Sequence, residues 1–335
     1  MHRDPNHNTC SHQHDDHHHE AESHSHDESD QHDHRHGHGH HGHNHAHHAP
    51  DKINTAFIIA ILANLGFTVI QAIYAYLANS TSLLADAGHN LGDVLGLIFS
   101  WIASMLLKKK ASTNLSYGFK KTSILAALIN ALILIFACVV IALTAVDHLL
   151  HQGHVAAVDV MVVAGIGILV NGGTALLFMK GQEDLNVKSA FMHLAYDALI
   201  SFGVVVAAAL IYFTGWHIID PIVGLIITVT IFWGTWGLLR DSVKLAVDAV
   251  PLGIDLTAVR AYFNTLPGVE EVHDLHIWGM STRENALTVH LFMPDEQLSD
   301  STRQEINVTL QKKFNIHHTT IQIEREANCV HTHSC

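Results

Sequence analysis

Two pairs of metal-binding side chains lie inside otherwise apolar stretches of the sequence. His89 and Asp93 form one pair, and His193 and Asp197 form the other. In each pair the histidine precedes the aspartate by four residues, so in a helix both side chains lie on one face, about 6 Å apart along the axis. If the two faces meet, two imidazole nitrogens and two carboxylate oxygens converge. This His₂Asp₂ set suits a tetrahedral divalent ion, with Zn²⁺ first and Co²⁺ next.

The alternative for each pair is a hydrogen bond between helices that binds no ion. A charged side chain at the centre of a bilayer costs at least about 2.5–3.5 kcal/mol and is retained when it has a partner or a function. The repetition of the pair favours an ion. A glycine repeat in the first stretch, Gly88, Gly92 and Gly96, also favours it, because a neighbouring backbone could approach closely beside the ligands.

Charge is distributed unevenly over the 335 residues and divides the chain into three regions. Residues 1–50 carry nine acidic side chains, two arginines and 19 of the 32 histidines. Residues 51–240 carry only nine acidic and nine basic side chains, so they contain long apolar runs that predict a membrane domain. Residues 241–335 are again acidic. The net charge of −13, without a basic patch in the sequence, argues against nucleic acid as a partner.

Six segments of the middle region have the length, about 20 mostly apolar residues, that crosses a lipid membrane as a helix. They are Thr55–Leu77, Leu83–Leu107, Ser123–Asp147, Val155–Met179, Ser189–Phe213 and Ile219–Leu239. Lysines follow the second and fourth segments, whereas the other three loops contain none, so both termini are predicted to face the cytosol. The polar start of the chain does not predict a cleaved signal peptide.

After Arg240 the pattern changes to that of a small α+β domain. Apolar residues at helical spacing predict two helices, Asp255–Thr265 and Ser301–Phe314. Segments rich in β-branched and aromatic residues predict three strands, Val269–Trp278, Ala286–Phe292 and Thr319–Ile323. The predicted order is α-β-β-α-β.

The predicted fold class is therefore membrane all-α, a six-span transmembrane helical bundle with a C-terminal cytosolic α+β domain. The predicted domains are a disordered His-rich cytosolic tail at 1–50, the transmembrane domain at 51–240, the α+β domain at 241–325 and a Cys/His tail at 326–335. Because the chain has only four cysteines, three of them in polar segments beside histidines, we expect thiols or metal ligands and not a disulfide framework.

Several motifs resemble those of the cation diffusion facilitator family, the proton-coupled zinc exporters. They are Ser82–Asp93 (SLLADAGHNLGD), Tyr117-Gly118, Asp220-Pro221 and Val272–Trp278 (VHDLHIW). The resemblance covers residues 55–325 in the family's order. It implies a six-span homodimeric antiporter with a metallochaperone-like cytosolic domain. It also implies a transport site of the zinc-preferring type, made by His89, Asp93, His193 and Asp197.

The resemblance implies two further features. It suggests an interlock between Lys121 and Asp220, because the family pairs a basic residue in this loop with the Asp of the sixth span. It also places ions near the cytosolic domain in some zinc transporters. The residues that could form such a cytosolic site are His273, His290, His317 and Glu324, with Cys329 and Cys335 in the tail. The alternative is that each of these histidines is simply solvated.

Histidine is distributed differently from the family pattern. The loop that carries a metal-binding His in several members reads Phe119-Lys120-Lys121 here, and residues 179–188 contain no histidine. The histidines are concentrated in residues 1–50, which cannot bury enough apolar surface to fold alone. We expect this tail to collect Zn²⁺, Co²⁺ or Ni²⁺ at the cytosolic face, the alternative being a solvated extension.

The predicted function is proton-coupled export of divalent metal cations, Zn²⁺ first with Co²⁺ and Cd²⁺ as further substrates, by a homodimer in a bacterial inner membrane. Such a protein is a secondary transporter and not an enzyme, and the sequence contains neither HExxH nor GxSxG. The alternatives are a nickel/cobalt permease and a membrane metal sensor. The hallmark of the permease, Asp-His five residues after a His, is replaced here by Val94-Leu95.

Overall fold

The computed structural model describes residues 55–151, 153–177, 185–294 and 298–326. The histidine-rich segment 1–50, the loop 178–184 and the end of the chain with Cys329 and Cys335 lie outside these ranges. The expectations for those segments therefore stay predictions.

Six long helices make up the membrane domain, as the hydropathy predicts. They are α1 Thr55–Leu77, α2 Thr81–Leu107, α3 Thr122–Leu150, α4 Ala157–Leu177, α5 Leu185–Thr214 and α6 Ile219–Ala246. Within the described ranges, α2 to α6 are each long and apolar enough to cross a membrane. The 23 residues and apolar sequence of α1 fit the sixth span. Large apolar side chains such as Phe136, Leu169 and Trp233 are exposed on the outside of the bundle, where lipid would solvate them.

The second helix has a central position in the bundle, since it packs against α1, α3, α5 and α6. Its glycines make room for α3. A Cβ atom at Gly92 would lie 2.2 Å from Leu134 Cδ2, and one at Gly88 would lie 2.9 Å from Ile141 Cδ1. A larger residue at either position would therefore require the side chain of Leu134 or Ile141 on α3 to move.

The start of α2 is fixed to the start of α6 by the buried carboxylate of Asp220. This carboxylate accepts hydrogen bonds from Ser80 Oγ (2.6 Å), Thr81 N (2.6 Å), Thr81 Oγ1 (2.8 Å) and Ser82 Oγ (2.5 Å). Ser80 also caps α2 by accepting from Leu83 N at 3.2 Å. The negative charge at the first turn of α2 is favourable, because several backbone N–H groups of a helix N-terminus lack partners in the helix.

The expected interlock between Lys121 and Asp220 is wrong. Lys121 immediately precedes α3, and its Nζ lies 2.5 Å from Oδ1 of Asp248, which follows α6. The two helices pack side by side with the start of α3 near the end of α6. Asp220 belongs to the first turn of α6, and a helix of 28 residues is about 40 Å long. Asp220 and Lys121 therefore lie at opposite ends of the bundle.

The C-terminal domain has the predicted α-β-β-α-β order. Its elements are α7 Leu256–Asn264, β1 Glu271–Gly279, β2 Asn285–Phe292, α8 Asp300–Phe314 and β3 His318–Glu324. The strands form one sheet in the order β1-β2-β3, in which β1 and β2 are antiparallel and β2 and β3 are parallel. The helices and the sheet enclose an apolar core that includes Phe263, Leu287, Leu291, Ile306 and Leu310.

The turn between β1 and β2 contacts the membrane domain. Lys120 Nζ lies 2.6 Å from Glu284 Oε2, and Thr282 N donates a 3.1 Å hydrogen bond to Ser123 Oγ. Gly279 allows the close approach, since a Cβ atom there would lie 2.8 Å from Leu245 Cδ2 at the end of α6. This end of the bundle is called the proximal end below, and the opposite end is called the distal end.

Candidate metal sites

The structure brings the two His/Asp pairs of the membrane domain together. His89 and Asp93 lie on α2, and His193 and Asp197 lie on α5. His89 Nε2 lies 3.1 Å from Asp197 Oδ1 and 3.7 Å from Asp93 Oδ2. His193 Nε2 lies 3.3 Å from Asp93 Oδ2 and 3.6 Å from Asp197 Oδ2. Each imidazole thus contacts both carboxylates, one on its own helix and one on the other.

These spacings match a small tetrahedral ion. Ligand atoms about 2.0–2.1 Å from a tetrahedral Zn²⁺ lie about 3.3 Å from one another. The four nitrogen–oxygen distances, from 3.1 to 3.7 Å, are close to that value, and they involve one oxygen of Asp93 and both oxygens of Asp197. The candidate ligand atoms of His89, Asp93 and Asp197 also lie within 4.8 Å of one another, and His193 joins them through its contacts with both carboxylates.

The four side chains are largely shielded without being sealed. Their side-chain exposures range from 4% for Asp197 to 18% for His193. Shielding strengthens the attraction between these carboxylates and a cation, because the surroundings screen charge less than water does.

A buried polar network adjoins this group on α2. Asp86 Oδ2 accepts hydrogen bonds from Gln71 Nε2 on α1 (2.7 Å) and from Ser201 Oγ on α5 (2.9 Å). Asn90 Nδ2 in turn donates to Gln71 Oε1 at 3.0 Å. Asp86 and Asn90 belong to the Ser82–Asp93 motif, whereas sequence reasoning missed Gln71 and Ser201. The available signals were a glutamine in the apolar run of α1 and the spacing of four residues between Asp197 and Ser201.

A second group of potential ligands lies on the sheet of the C-terminal domain. His273 Nε2 lies 3.1 Å from Glu324 Oε2, and His290 Nδ1 lies 2.9 Å from Glu324 Oε1. Their candidate ligand atoms lie within 4.8 Å of one another. The pairing of the strands explains this proximity, because His273 is opposite His290 and Glu324 is opposite Phe292 on the other side of β2. Two histidines and a glutamate are a donor set that binds Zn²⁺ with a fourth position open.

Two residues that sequence reasoning did not select extend this group. A β-bulge between His273 and His276 places Asp274 at φ 48°, and its carboxylate lies 2.9 Å from His276 Nε2 and 3.4 Å from His290 Nε2. The hydrogen bond with His276, together with the nearby charge of the histidines, holds the pKa of the Asp274 carboxyl below its usual value. Asp274 therefore stays ionised at neutral pH and adds negative charge beside His290.

His317 is not brought into this group, contrary to the expectation from the resemblance. Its backbone N–H donates to Asn285 O at the start of β2, and its side chain is exposed. On β2, Asn285 precedes His290 by five residues, which corresponds to about 16 Å along a strand. The parallel register of β2 and β3 thus places His317 and Glu324 at opposite ends of the strand pair.

The two lysines of the loop between α2 and α3 take part in the contacts between the domains. Lys120 pairs with Glu284, and Lys121 pairs with Asp248. At these two positions the chain therefore carries ion pairs and not metal ligands.

Comparisons with protein families agree with this arrangement of two domains. The cation efflux transmembrane domain matches residues 57–245. The cytoplasmic domain of cation efflux proteins matches residues 251–326, and in this family it is the dimerisation domain. The chain is therefore a multi-pass membrane protein whose α+β domain matches a cytoplasmic domain.

Several proteins of assigned function are similar over most of the chain. The "Cadmium, cobalt and zinc/H(+)-K(+) antiporter" of Bacillus subtilis is 34% identical over 288 residues, which are 84% of this chain and 92% of that protein. The "Zinc transporter ZitB" of Escherichia coli is 30% identical over 281 residues, 83% of this chain and 90% of that protein. The "Metal cation efflux system protein CzcD" of Cupriavidus metallidurans is 31% identical over 281 residues, 83% and 89% of the two chains.

The match of the transmembrane domain alone spans more than half of the sequence, and the match of the cytoplasmic domain follows it directly. The chain therefore belongs to the cation diffusion facilitator family of cation efflux proteins.

Proposed function

We propose that this protein exports divalent metal cations from the cytosol in exchange for protons, with Zn²⁺ as its first substrate and Co²⁺ and Cd²⁺ as further substrates. The observation that carries this proposal is a set of four nitrogen–oxygen distances, each between 3.1 and 3.7 Å, two of which lie within α2 or α5 and two of which join these helices. The similar proteins are named as zinc transporters or as cadmium, cobalt and zinc antiporters, which supports the same substrate class.

Exchange of metal for protons follows from the chemistry of the ligands. A metal ion binds neutral imidazole and ionised carboxylate, so Zn²⁺ that enters from the cytosol displaces protons from His89 and His193. When the ion leaves on the other side, protons can return to the same nitrogens. Each imidazolium is then balanced by both carboxylates, Asp93 and Asp197, which lie within 3.7 Å of it.

Alternating access requires the ligands to separate or to change their exposure. The site is divided between two helices, and α5 packs mainly against α4, whereas α2 packs against α1, α3 and α6. Movement of the α4–α5 pair relative to the other four helices would open the site to one side at a time. The proton gradient across the membrane would then drive the cycle.

Directional flux in proteoliposomes tests the proposed function. The full-length protein is reconstituted with a zinc-sensitive dye and a pH-sensitive dye inside, and a proton gradient is imposed in each direction in turn. We expect zinc to move against the proton flow and the same vesicles to carry Co²⁺ and Cd²⁺. Zinc uptake that is insensitive to the gradient would favour a permease, and zinc binding without flux would favour a metal sensor.

We propose further that the protein is a homodimer of a bacterial inner membrane with both termini in the cytosol. The lysines beside the proximal end of the bundle support this orientation, because positively charged loops stay in the cytosol. Crosslinking in native membranes and protease accessibility of the two termini would test the assembly and the orientation separately.

The cytosolic group is proposed as a second zinc site, made by His273, His290 and Glu324 with Asp274 beside it. The contacts of His273 and His290 with Glu324 and Asp274 support this proposal, because simply solvated histidines would not share carboxylate partners. Glu324→Gln should lower the number of tightly bound zinc ions per chain by one while transport continues. Exposed Glu305→Gln on α8 is the matched control. An unchanged zinc count in Glu324→Gln would reject the site.

A further inference from the structure

A third buried carboxylate, which belongs to neither ligand pair, lies beside the membrane site. Asp86 on α2 precedes His89 by three residues, so it is about one helical turn closer to the distal end. It is 0% exposed. Its hydrogen-bond partners, Gln71 and Ser201, are uncharged and are not proposed metal ligands.

The two oxygens of this carboxylate have unequal surroundings. Oδ2 accepts both hydrogen bonds, at 2.7 and 2.9 Å. Oδ1 is buried and has no hydrogen-bond partner among the described residues. Gln71 cannot turn to serve it without losing its contact with Asn90, since the Gln71 amide oxygen accepts from Asn90 Nδ2. The network therefore stabilises one oxygen and leaves the other available to a proton.

The ionisable groups around Asp86 supply little permanent positive charge. Two charged groups act on Asp86. His89, on the same helix, favours the ionised carboxylate when protonated, and Asp197 on α5 disfavours it. From α1, Asp86 receives only the neutral amide of Gln71. On α3, the apolar side chain of Ile141 faces Gly88, and Cys138 lies about one helical turn from Ile141. On α6, the carboxylate of Asp220 accepts hydrogen bonds from residues 80–82. The described spans carry no Lys or Arg near Asp86.

A buried carboxylate without a fixed cation is costly when ionised, so its protonation depends on the charge of the neighbouring groups. A nearby positive charge favours the ionised form, and a nearby negative charge favours the protonated form. A divalent ion one helical turn away offsets the negative charge of Asp86. After the ion leaves, and before protons return to the imidazoles, the carboxylate of Asp197 acts on Asp86, and a like charge disfavours its ionised form.

We propose that Asp86 is a proton-binding site of the transport cycle, separate from the metal ligands. This inference rests on the proposed metal/proton exchange. With the metal site empty, the proton is bonded to Oδ1. When the metal binds from the cytosol, the O–H bond breaks, the electron pair stays on Oδ1 and the proton leaves to the cytosol. After the metal leaves, a proton from the other side of the membrane forms the bond again.

The alternative is that Asp86 only fixes α1, α2 and α5 through hydrogen bonds. The two roles are separable, because asparagine keeps the shape and an acceptor oxygen but binds no exchangeable proton at that oxygen. The number of protons carried per metal ion therefore distinguishes them, whereas the amount of folded protein does not.

The test measures proton and zinc fluxes together in proteoliposomes that contain the full-length chain. In Asp86→Asn we expect the ratio of protons to zinc to fall by about one, since each ionisable group that the metal no longer deprotonates removes one proton from the exchange. Asp159→Asn, which changes an exposed carboxylate in the first turn of α4, should keep the wild-type ratio. A wild-type ratio in Asp86→Asn would overturn the inference and leave the proposed function intact.

Asp86→Asn could instead stop net transport, in which case zinc–zinc exchange at equal pH is measured, because it needs no net proton movement. Retained zinc–zinc exchange would support the inference. If exchange is also lost, the pH dependence of transport by Ser201→Ala is measured instead. This variant removes one hydrogen bond that stabilises the ionised form of Asp86, so half-maximal transport should occur at a higher pH than in the wild type. An unchanged pH profile would overturn the inference. Failure of the wild-type protein itself to exchange zinc for protons would instead reject the proposed function.

Discussion

The Nε2 atom of His89 lies 3.1 Å from Oδ1 of Asp197, although 108 residues separate the two in the chain. This contact joins α2 to α5 at the point where the two His/Asp pairs meet. Because each histidine is shared between two carboxylates, a change at one ligand alters the surroundings of the other three. The four side chains should therefore behave as one site and not as two independent pairs.

His89→Asp should weaken the preference for zinc over cadmium. The substitution replaces a nitrogen ligand by an oxygen ligand on a shorter side chain, so the site becomes wider and loses a donor that suits tetrahedral zinc. We expect the zinc-to-cadmium transport ratio to fall by about tenfold, which corresponds to about 1.4 kcal/mol of differential binding. Competition uptake with both ions in the same vesicles measures this ratio.

The matched control for this variant is His148→Asp, because His148 lies in the last turn of α3, away from the ligands. It should leave the transport ratio at the wild-type value. An unchanged ratio in His89→Asp would show that selectivity depends on helix packing and not on this ligand.

Asp220→Ala should destabilise the protein much more than Lys121→Ala. Asp220 is 1% exposed, and its removal leaves the buried donors of Ser80, Thr81 and Ser82 without their acceptor. This should cost about 3 kcal/mol or more, from several hydrogen bonds to a charged group. The side chains of Lys121 and Asp248 are 47% and 54% exposed, so that ion pair contributes about 0–1 kcal/mol.

Thermal unfolding of the purified variants in detergent gives the comparison. Asp220→Asn serves as a milder variant, since it keeps an acceptor oxygen and should lie between wild type and Asp220→Ala. A larger loss of stability in Lys121→Ala than in Asp220→Ala would contradict the assignment of Asp220 as the residue that joins α2 and α6.

The sequence predicted the elements well because their signals are local. The six apolar runs and the α-β-β-α-β order depend on hydropathy and on β-branched residues within each segment, and the structure confirms both. The interlock of Lys121 with Asp220 was wrong because it joined residues from opposite ends of antiparallel helices. Only the relation between distant elements, α3 beside α6, identifies Asp248 as the partner.

For the candidate sites, too, the sequence predicted the local features and not the contacts between distant elements. The spacing of four residues in each His/Asp pair predicted a shared helix face, whereas the contacts of Gln71 and Ser201 with Asp86 depend on how three helices are rotated and packed. On the sheet, the separation of His317 from Glu324 follows from the parallel register of β2 and β3, which a single sequence does not contain.

Removal of residues 1–48 should alter the supply of zinc and not the transport cycle. The segment contains 19 histidines and precedes α1. With the N-terminus in the cytosol, as proposed, its ligands would raise the local zinc concentration on that side without forming the membrane site. We expect the maximal rate to stay near the wild-type value and the zinc concentration for half-maximal rate to rise.

Cytosolic pH provides a check on this tail prediction. Below about pH 6 the imidazoles become charged and lose metal, so the difference between intact and truncated protein should shrink. Loss of turnover at saturating zinc in the truncated protein would instead make the tail a necessary part of the carrier.

The most direct test of the membrane site is zinc-dependent proton flux in proteoliposomes that contain wild type, Asp93→Ala or Asp159→Asn. Asp93 contacts both histidines of the site, so Asp93→Ala leaves three ligands and removes one of the two carboxylates that the imidazoles share. The protein should still insert and dimerise, while zinc and proton fluxes fall to the level of empty vesicles. Asp159→Asn should transport as the wild type does. Coupled transport by Asp93→Ala at a rate near that of the wild type would contradict a four-ligand site between α2 and α5.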